Sequence, residues 1–235
     1  MNNPLKKATS PAMFDAIAHR YDYVNNVISL GQHHTWRRTL VDQLPANSNL
    51  NVLDLATGTA DVAIELAKNG KVKHVLGVDL SQEMLDLGQK KVQQQGLDQT
   101  IRLQAMDATN LIDLDNSFDA ATMSFGIRNV PDPVICLKEI YKALKPGGKV
   151  LILESGRPKN RYLKKASAIY LNHILPNMGA LLSGHDKAYK YLNDTILDFP
   201  YAEGFVDMLH QASFSDSGFR PLFLGNVYLY WGHKP

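Results

Sequence analysis

One stretch of this chain gathers the residue types that hold a nucleoside against a main chain: Val52-Leu53-Asp54-Leu55-Ala56-Thr57-Gly58-Thr59-Ala60-Asp61. An apolar run feeds a tight turn at Gly58, and helical spacing starts after it. Glycine lets a ligand approach the backbone closely. Asp79 closes the next apolar run about 20 residues on, where a carboxylate in a doubly wound sheet accepts both hydroxyl hydrogens of a ribose. Asp107-Ala108 closes a third run, where an adenine edge can be bonded. Nicotinamide dinucleotides and S-adenosylmethionine both place a ribose at that point, so the pair Gly58 and Asp79 does not separate them. The phosphate fingerprint does. It needs Gly-x-Gly-x-x-Gly so that pyrophosphate can sit on a helix N-terminus. Here the three positions are Gly58, Ala60 and Ala63. A cofactor without phosphate tolerates that loss, and Asp54 and Asp61 flank the turn, so these residues favour S-adenosylmethionine. The plainer reading of both acids is that they cap the loop and the helix behind it.

These groups meet only if strands and helices alternate. Leu50–Ala56, Lys73–Asp79, Ile101–Met106, Phe118–Phe125 and Gly148–Glu154 read as strands. Ala60–Lys68, Gln82–Gln95 with Ser81 as N-cap, and Pro133–Leu144 read as helices. The fifth run is almost wholly apolar, as expected when helices cover both faces of a parallel sheet. Leu144-Lys145-Pro146-Gly147-Gly148 reads as a helix stop and a turn. A helix at Tyr201–Ala212 precedes Ser217–Leu224 and Asn226–Gly232, a sixth strand and an antiparallel seventh joined at Gly225. The pattern predicts a doubly wound α/β fold around a mostly parallel sheet, as a single domain over 1–235. Residues 11–48 and 157–200 read as an N-terminal helical cover and a late helical insertion over the carboxyl ends of the strands.

Composition narrows the classes. The 235 residues are 45% hydrophobic and 20% charged, which excludes wholesale disorder. A formal net charge of +2 makes no electrostatic case for nucleic acid as partner. The lone Cys136 excludes a disulfide framework and any cysteine-cluster metal site. The eight histidines show no metal-ligand spacing, so no metal is expected. Met1–Ser10 is polar and no apolar run approaches a membrane span of about 20 residues, so a cytoplasmic location is expected.

Further runs make the reading specific. Met13-Phe14-Asp15-Ala16-Ile17-Ala18 with Tyr21-Asp22, Asn25-Asn26, Ser29-Leu30-Gly31, His33 and Trp36-Arg37-Arg38 resembles the opening of the ubiquinone/menaquinone biosynthesis C-methyltransferases. Ser124-Phe125-Gly126-Ile127-Arg128-Asn129 is similar to the same family, as is Tyr189-Lys190-Tyr191-Leu192 with Ile196 and Phe199-Pro200. Together with Leu53–Asp61 and Leu144–Gly148, in the family's order, the resemblance covers nearly the whole chain. It implies a Rossmann-like class I S-adenosylmethionine-dependent methyltransferase of seven strands. The implied reaction methylates a ring carbon of a polyprenylated quinol: demethylmenaquinol to menaquinol foremost, or 2-methoxy-6-polyprenyl-1,4-benzoquinol in ubiquinone biosynthesis. Carried over by position, the cofactor contacts are Thr59, Asp79, Asp107, Ala108 and Ser124, with Asp54 and Gly58 also on matching residues. The chain departs from the family at Ala60, at Glu154-Ser155-Gly156-Arg157-Pro158 and in Tyr228–Lys234, which bears on the substrate pocket more than on the chemistry.

That reaction needs a nucleophilic ring carbon. A phenol ionises near pKa ~10, so a base or a fixed cation must favour phenolate. Arg128 is the first candidate, with Asn129 beside it on the same oxygen and His33 as general base. The plainer reading is that Arg128 braces its loop against Asp132 or Asp22. Tyr21 either closes over the site or packs as a core aromatic. Leu163–Leu182 reads as an amphipathic helix packed on the sheet. Its other reading is a channel for the prenyl tail, or shallow contact with the inner face of the membrane beside Lys164 and Lys165. The competing classes are another methyltransferase acting on a soluble phenol, sterol or amine, and a non-catalytic scaffold in a quinone-synthesis complex. A homo-oligomer also stays open.

Overall fold

A computed structural model describes residues 10–169 and 193–235. Two helices come first, α1 (Ser10–Ile28) and α2 (Gln32–Val41). Strands and helices then alternate: β1 (Leu50–Leu55), α3 (Asp61–Ala67), β2 (Val72–Asp79), α4 (Gln82–Gln94), β3 (Ile101–Ala105), β4 (Phe118–Ser124), α5 (Pro133–Ala143) and β5 (Leu144–Ser155). A short helical turn, Ile127–Asn129, follows β4. After α6 (Arg161–Ile169) come α7 (Glu203–Gln211), β6 (Ser215–Leu222) and β7 (Val227–His233). The seven strands form one sheet in the order β3-β2-β1-β4-β5-β7-β6. All pairs are parallel except those of β7, which runs antiparallel to both β5 and β6.

The central strands β1, β4, β5 and β7 are buried on both faces, and the side-chain period of two divides their residues between two cores. Leu53, Leu55, Met123 and Ile152 pack on one side with Phe205, Leu209 and Tyr230. Val52, Leu151, Leu153 and Leu229 pack on the other with Leu40, Leu66 and Val92. Truncating one such leucine to alanine costs about 2–5 kcal/mol, since the cavity left behind adds to the lost transfer energy. Helix starts follow the local chemistry. The Ser81 hydroxyl accepts the Met84 N–H at α4, and Asp132 accepts the Val134 and Ile135 N–H groups at α5, with Pro133 in the first turn.

Strand order reverses between β1 and β4, because β1 leads outward to β2 and β3 while β4 leads to β5. The loops after these two strands diverge and leave a crevice at their carboxyl ends. One sequence expectation is corrected. Leu144–Gly148 begins β5 rather than turning before it: Leu144 pairs with Phe118, and a register shift separates that pair from Ala120 and Lys149. The Gly147 N–H donates to the Lys234 carbonyl at 2.8 Å and the Lys234 N–H to the Gly148 carbonyl at 2.9 Å, so neighbouring chain completes the ladder through a run with turn composition. The Tyr189–Leu192 run and the Leu163–Leu182 stripe beyond Ile169 lie outside the described residues. No helix among the described residues is long and apolar enough to cross a membrane.

Candidate active site

A cavity of about 350 Å³ occupies the crevice. Its floor is the loop after β1. Ala56, Gly58 and Ala60 there all take positive φ, at 49°, 55° and 65°. Glycine fits this backbone without strain at position 58, and a Cβ there would point into open space. Gly126 on the opposite wall is needed for another reason: a Cβ would come within 2.5 Å of the Ala56 Cβ. The loops after β1 and β4 therefore close on each other over a glycine.

Asp79 ends β2 at the cavity rim. One carboxylate oxygen accepts the Gly58 N–H and the other the Ser81 N–H, both at 2.9 Å. Burial pushes its pKa up, opposed by these main-chain donors. A carboxylate has about four lone-pair sites, so with the Gly58, Ser81 and Leu80 main-chain groups acting on it, acceptor capacity remains for a ligand hydroxyl. Asp107 and Ala108 line the cavity beyond Asp79, with Asp107 fixed by the Thr109 N–H and hydroxyl. Ser124 and Asn129 line the far wall. The Ser124 hydroxyl is buried without a hydrogen-bond partner. Met84, Met106 and Met123 supply apolar surface, and Tyr21 of α1 closes one side with its phenol pKa raised by burial.

Four sequence-derived candidates lie behind the cavity wall rather than on it. Asp54 is 1% exposed and accepts the Thr57 and Thr122 hydroxyls, each at 2.6 Å. Burial raises its pKa to about 6. It ties β1, β4 and the loop together from beneath. Thr59 is buried, donating to Asp22 at 2.7 Å and accepting from Lys91 at 2.9 Å. Arg128 is buried too, and its bracing acid is Glu154, not Asp132 or Asp22: Nη1 donates to Glu154 Oε1 at 2.5 Å and to the Phe125 carbonyl at 2.9 Å. The Arg128 main-chain N–H reaches the other Glu154 oxygen at 3.3 Å. His33 is buried in α2, bonded through Nδ1 to the Ser29 hydroxyl at 2.6 Å, with its ring tilted against that of His34. Burial, with Arg37 and His34 adding to it, lowers its pKa to about 4, so it is neutral and weakly basic at neutral pH.

Ion pairs and hydrogen bonds fasten α1 and α2 to α3 and α4. Arg37 of α2 meets Asp61 at 2.6 Å, Lys91 meets Asp61 at 2.7 Å and Asp22 of α1 at 2.5 Å, and the Ser81 hydroxyl donates to Asp15 of α1. Burial pushes the Asp61 carboxyl up, but Arg37 and Lys91 outweigh it and hold it below the usual range. Glu154, Thr122, Thr57 and Lys91 were not singled out from sequence. Only Glu154 carried a signal: a carboxylate ending an apolar strand must find a partner. Among the described residues no group of three His, Cys, Asp or Glu side chains gathers to hold a metal.

The donor set suits a nucleoside sulfonium without phosphates: a carboxylate at the end of β2, a second acid beyond it, a glycine leaving room for a ligand, and an apolar methionine-lined wall. Comparison with known proteins bears on this. The model of the ubiE/COQ5 methyltransferase family matches residues 3–234. The chain is 41% identical to the ubiquinone/menaquinone biosynthesis C-methyltransferase UbiE of Bdellovibrio bacteriovorus, over 94% of this chain and 93% of that one. It is 37% identical to a demethylmenaquinone methyltransferase of Bacteroides fragilis, over 99% and 95%. A SAM-dependent methyltransferase of Thermotoga maritima, described as a possible histamine N-methyltransferase, shares the fold: TM-score 0.66 at 19% identity, over 95% of this chain and 99% of that one.

Proposed function

This chain belongs to the ubiE/COQ5 methyltransferase family, and we propose that it methylates a ring carbon of a polyprenylated quinol, with demethylmenaquinol as the substrate and menaquinol as the product. The observation that carries the reading is the family match along residues 3–234. The cavity of that same chain holds Asp79, Asp107 and Ser124 at the strand-order reversal. S-adenosylmethionine, when bound, supplies a methyl group on a positively charged sulfur. The remaining work falls to the chain's own side chains. Asp79 holds the ribose hydroxyls and Asp107 with Ala108 borders the adenine. Ser124 offers a free hydroxyl on the wall that receives the reactive end. Tyr21 and the methionines exclude water, which would otherwise solvate a phenolate and weaken the field acting on it.

Asn129, on the cavity wall, is the group that meets the quinol oxygen. Arg128 acts through it as a positioning residue: paired with Glu154 and holding the Phe125 carbonyl, it fixes the Phe125–Asn129 turn. His33, neutral and behind the wall, supports α2 and is a poor base. Shallow contact with a membrane surface fits α6, where exposed Tyr162 stands among Arg161, Lys164 and Lys165. The test is transfer of label from methyl-tritiated S-adenosylmethionine to reduced demethylmenaquinone, with the corresponding benzoquinol and a soluble phenol in parallel. Label on the naphthoquinol ring carbon is expected. Label on the soluble phenol alone, or on none, refutes the reading.

A further inference from the structure

We propose that the isoprenoid tail of the substrate leaves the cavity across three aromatic rings, Phe125, Trp36 and Phe223, and ends its contact on Leu224. This rests on the quinol reading above. Phe125 lines the cavity. Its ring centroid lies 6.0 Å from that of Trp36, and the Trp36 centroid lies 5.5 Å from that of Phe223. Phe125 and Trp36 are partly buried against the core that contains Leu151 and Leu153. Phe223 and Leu224, on the turn between β6 and β7, are 45% and 69% exposed. The rings make an unbroken apolar strip from the cavity wall to the surface. A hydrocarbon tail asks for such a strip, since it has no polar group to satisfy and gains by leaving water.

The backbone supplies an independent observation. Phe125, Phe223 and Leu224 all take positive φ, at 58°, 44° and 59°. Bulky side chains rarely adopt this region, and glycine or asparagine would occupy it more cheaply. At Leu224 no burial offsets the strain. Strain kept at an exposed apolar position points to a ligand. Asn226, next to this turn, accepts the Ser167 hydroxyl at 2.5 Å, which ties α6 to the end of the turn.

Two variants of the full chain test this, Leu224→Asn and Phe223→Asn/Leu224→Asn. Asparagine accepts left-handed backbone, so Leu224→Asn should melt at or above the wild-type temperature. Two ligands are compared at fixed detergent: a demethylnaphthoquinone with several isoprene units and the same ring without a tail. Affinity is read from quenching of tryptophan fluorescence by the oxidised forms, and KM from methylation of the reduced forms. Both constants should rise roughly ten-fold for the tailed ligand, the equivalent of one leucine-sized contact, and stay put for the tailless one. Unchanged constants for the tailed ligand overturn the strip, as does an equal rise for both. Wild-type protein that methylates neither quinol overturns the quinol reading itself.

Discussion

Replacing Asp79 by asparagine keeps the side chain's size while removing its charge and one of its acceptors. In the folded protein each carboxylate oxygen already takes a main-chain N–H, from Gly58 and from Ser81, at 2.9 Å. Asparagine can keep one of these bonds. Its amide nitrogen must then face the other N–H, donor against donor, and the ribose loses a charged acceptor. A hydrogen bond to a charged group contributes roughly 1.5–3 kcal/mol, so the lost ligand bond and the disturbed Gly58 loop together should weaken S-adenosylmethionine binding by about 2–4 kcal/mol, or roughly 30- to 1,000-fold in Kd. Calorimetric titration with the cofactor and with its demethylated product reads this directly, once circular dichroism shows the variant folded. A folded Asp79→Asn protein whose Kd stays within about three-fold of wild type, under 1 kcal/mol, would refute the ribose assignment.

Arg128→Lys should slow single-turnover methylation by about 100-fold with cofactor affinity nearly unchanged, because the shorter lysine side chain does not bring its ammonium to the point where Nη1 meets both Glu154 and the Phe125 carbonyl, and the Asn129 turn shifts. A wild-type rate would reduce Arg128 to a structural brace. Glu154→Gln should destabilise the fold by about 3–5 kcal/mol in a denaturant titration by leaving Arg128 buried and uncompensated, and Glu154→Gln/Arg128→Met should recover most of it. Thermal shift at equal ligand concentration should show stabilisation by S-adenosylmethionine and none by NAD, since Ala60 and Ala63 replace phosphate-binding glycines. His33 titrates near 4 when folded against 6.5 when exposed, so its contribution to stability is full above pH 6.5 and is lost as pH falls towards 4. Asp54, raised to about 6, has the opposite slope, so a denaturant titration should show His33→Gln losing less stability than wild type, or gaining it, as pH falls from 6.5 towards 4.

The strand-and-helix frame was legible because its signals are local. Apolar runs closed by Asp54, Asp79 and Asp107, with Ser81 and Asp132 as caps, placed most element ends within two residues. Gly58 and Asp79 were legible for the same reason, since the turn and the strand end each announce themselves. What escaped depends on neighbours far along the chain. The partner of Arg128 is Glu154 because β4 and β5 lie side by side, which no spacing reveals. Thr57 and Thr122 beneath Asp54 are small hydroxyls with no pattern of their own. Lys91 looks like any lysine on the polar face of α4 until α1 and α2 bring Asp22 and the Arg37–Asp61 pair to it. Leu144–Gly148 has turn composition, yet Phe118 and Lys234 supply the pairing that draws it into the sheet.

Because β7 runs antiparallel between β5 and β6, the outermost strand on that side is β6, and an outermost strand offers its unused N–H and carbonyl groups to any passing chain. β6 makes a poor template. Pro221 has no N–H to give, the register slips between Ser215 and Gly218, and Asp216 sits there at a φ of 44°. Charge at Asp216 and Arg220 further discourages a dry, flat contact. The open row is cut into pieces too short for a second sheet to extend, so the reversal that closes the fold leaves an edge guarded against runaway stacking of one copy upon the next.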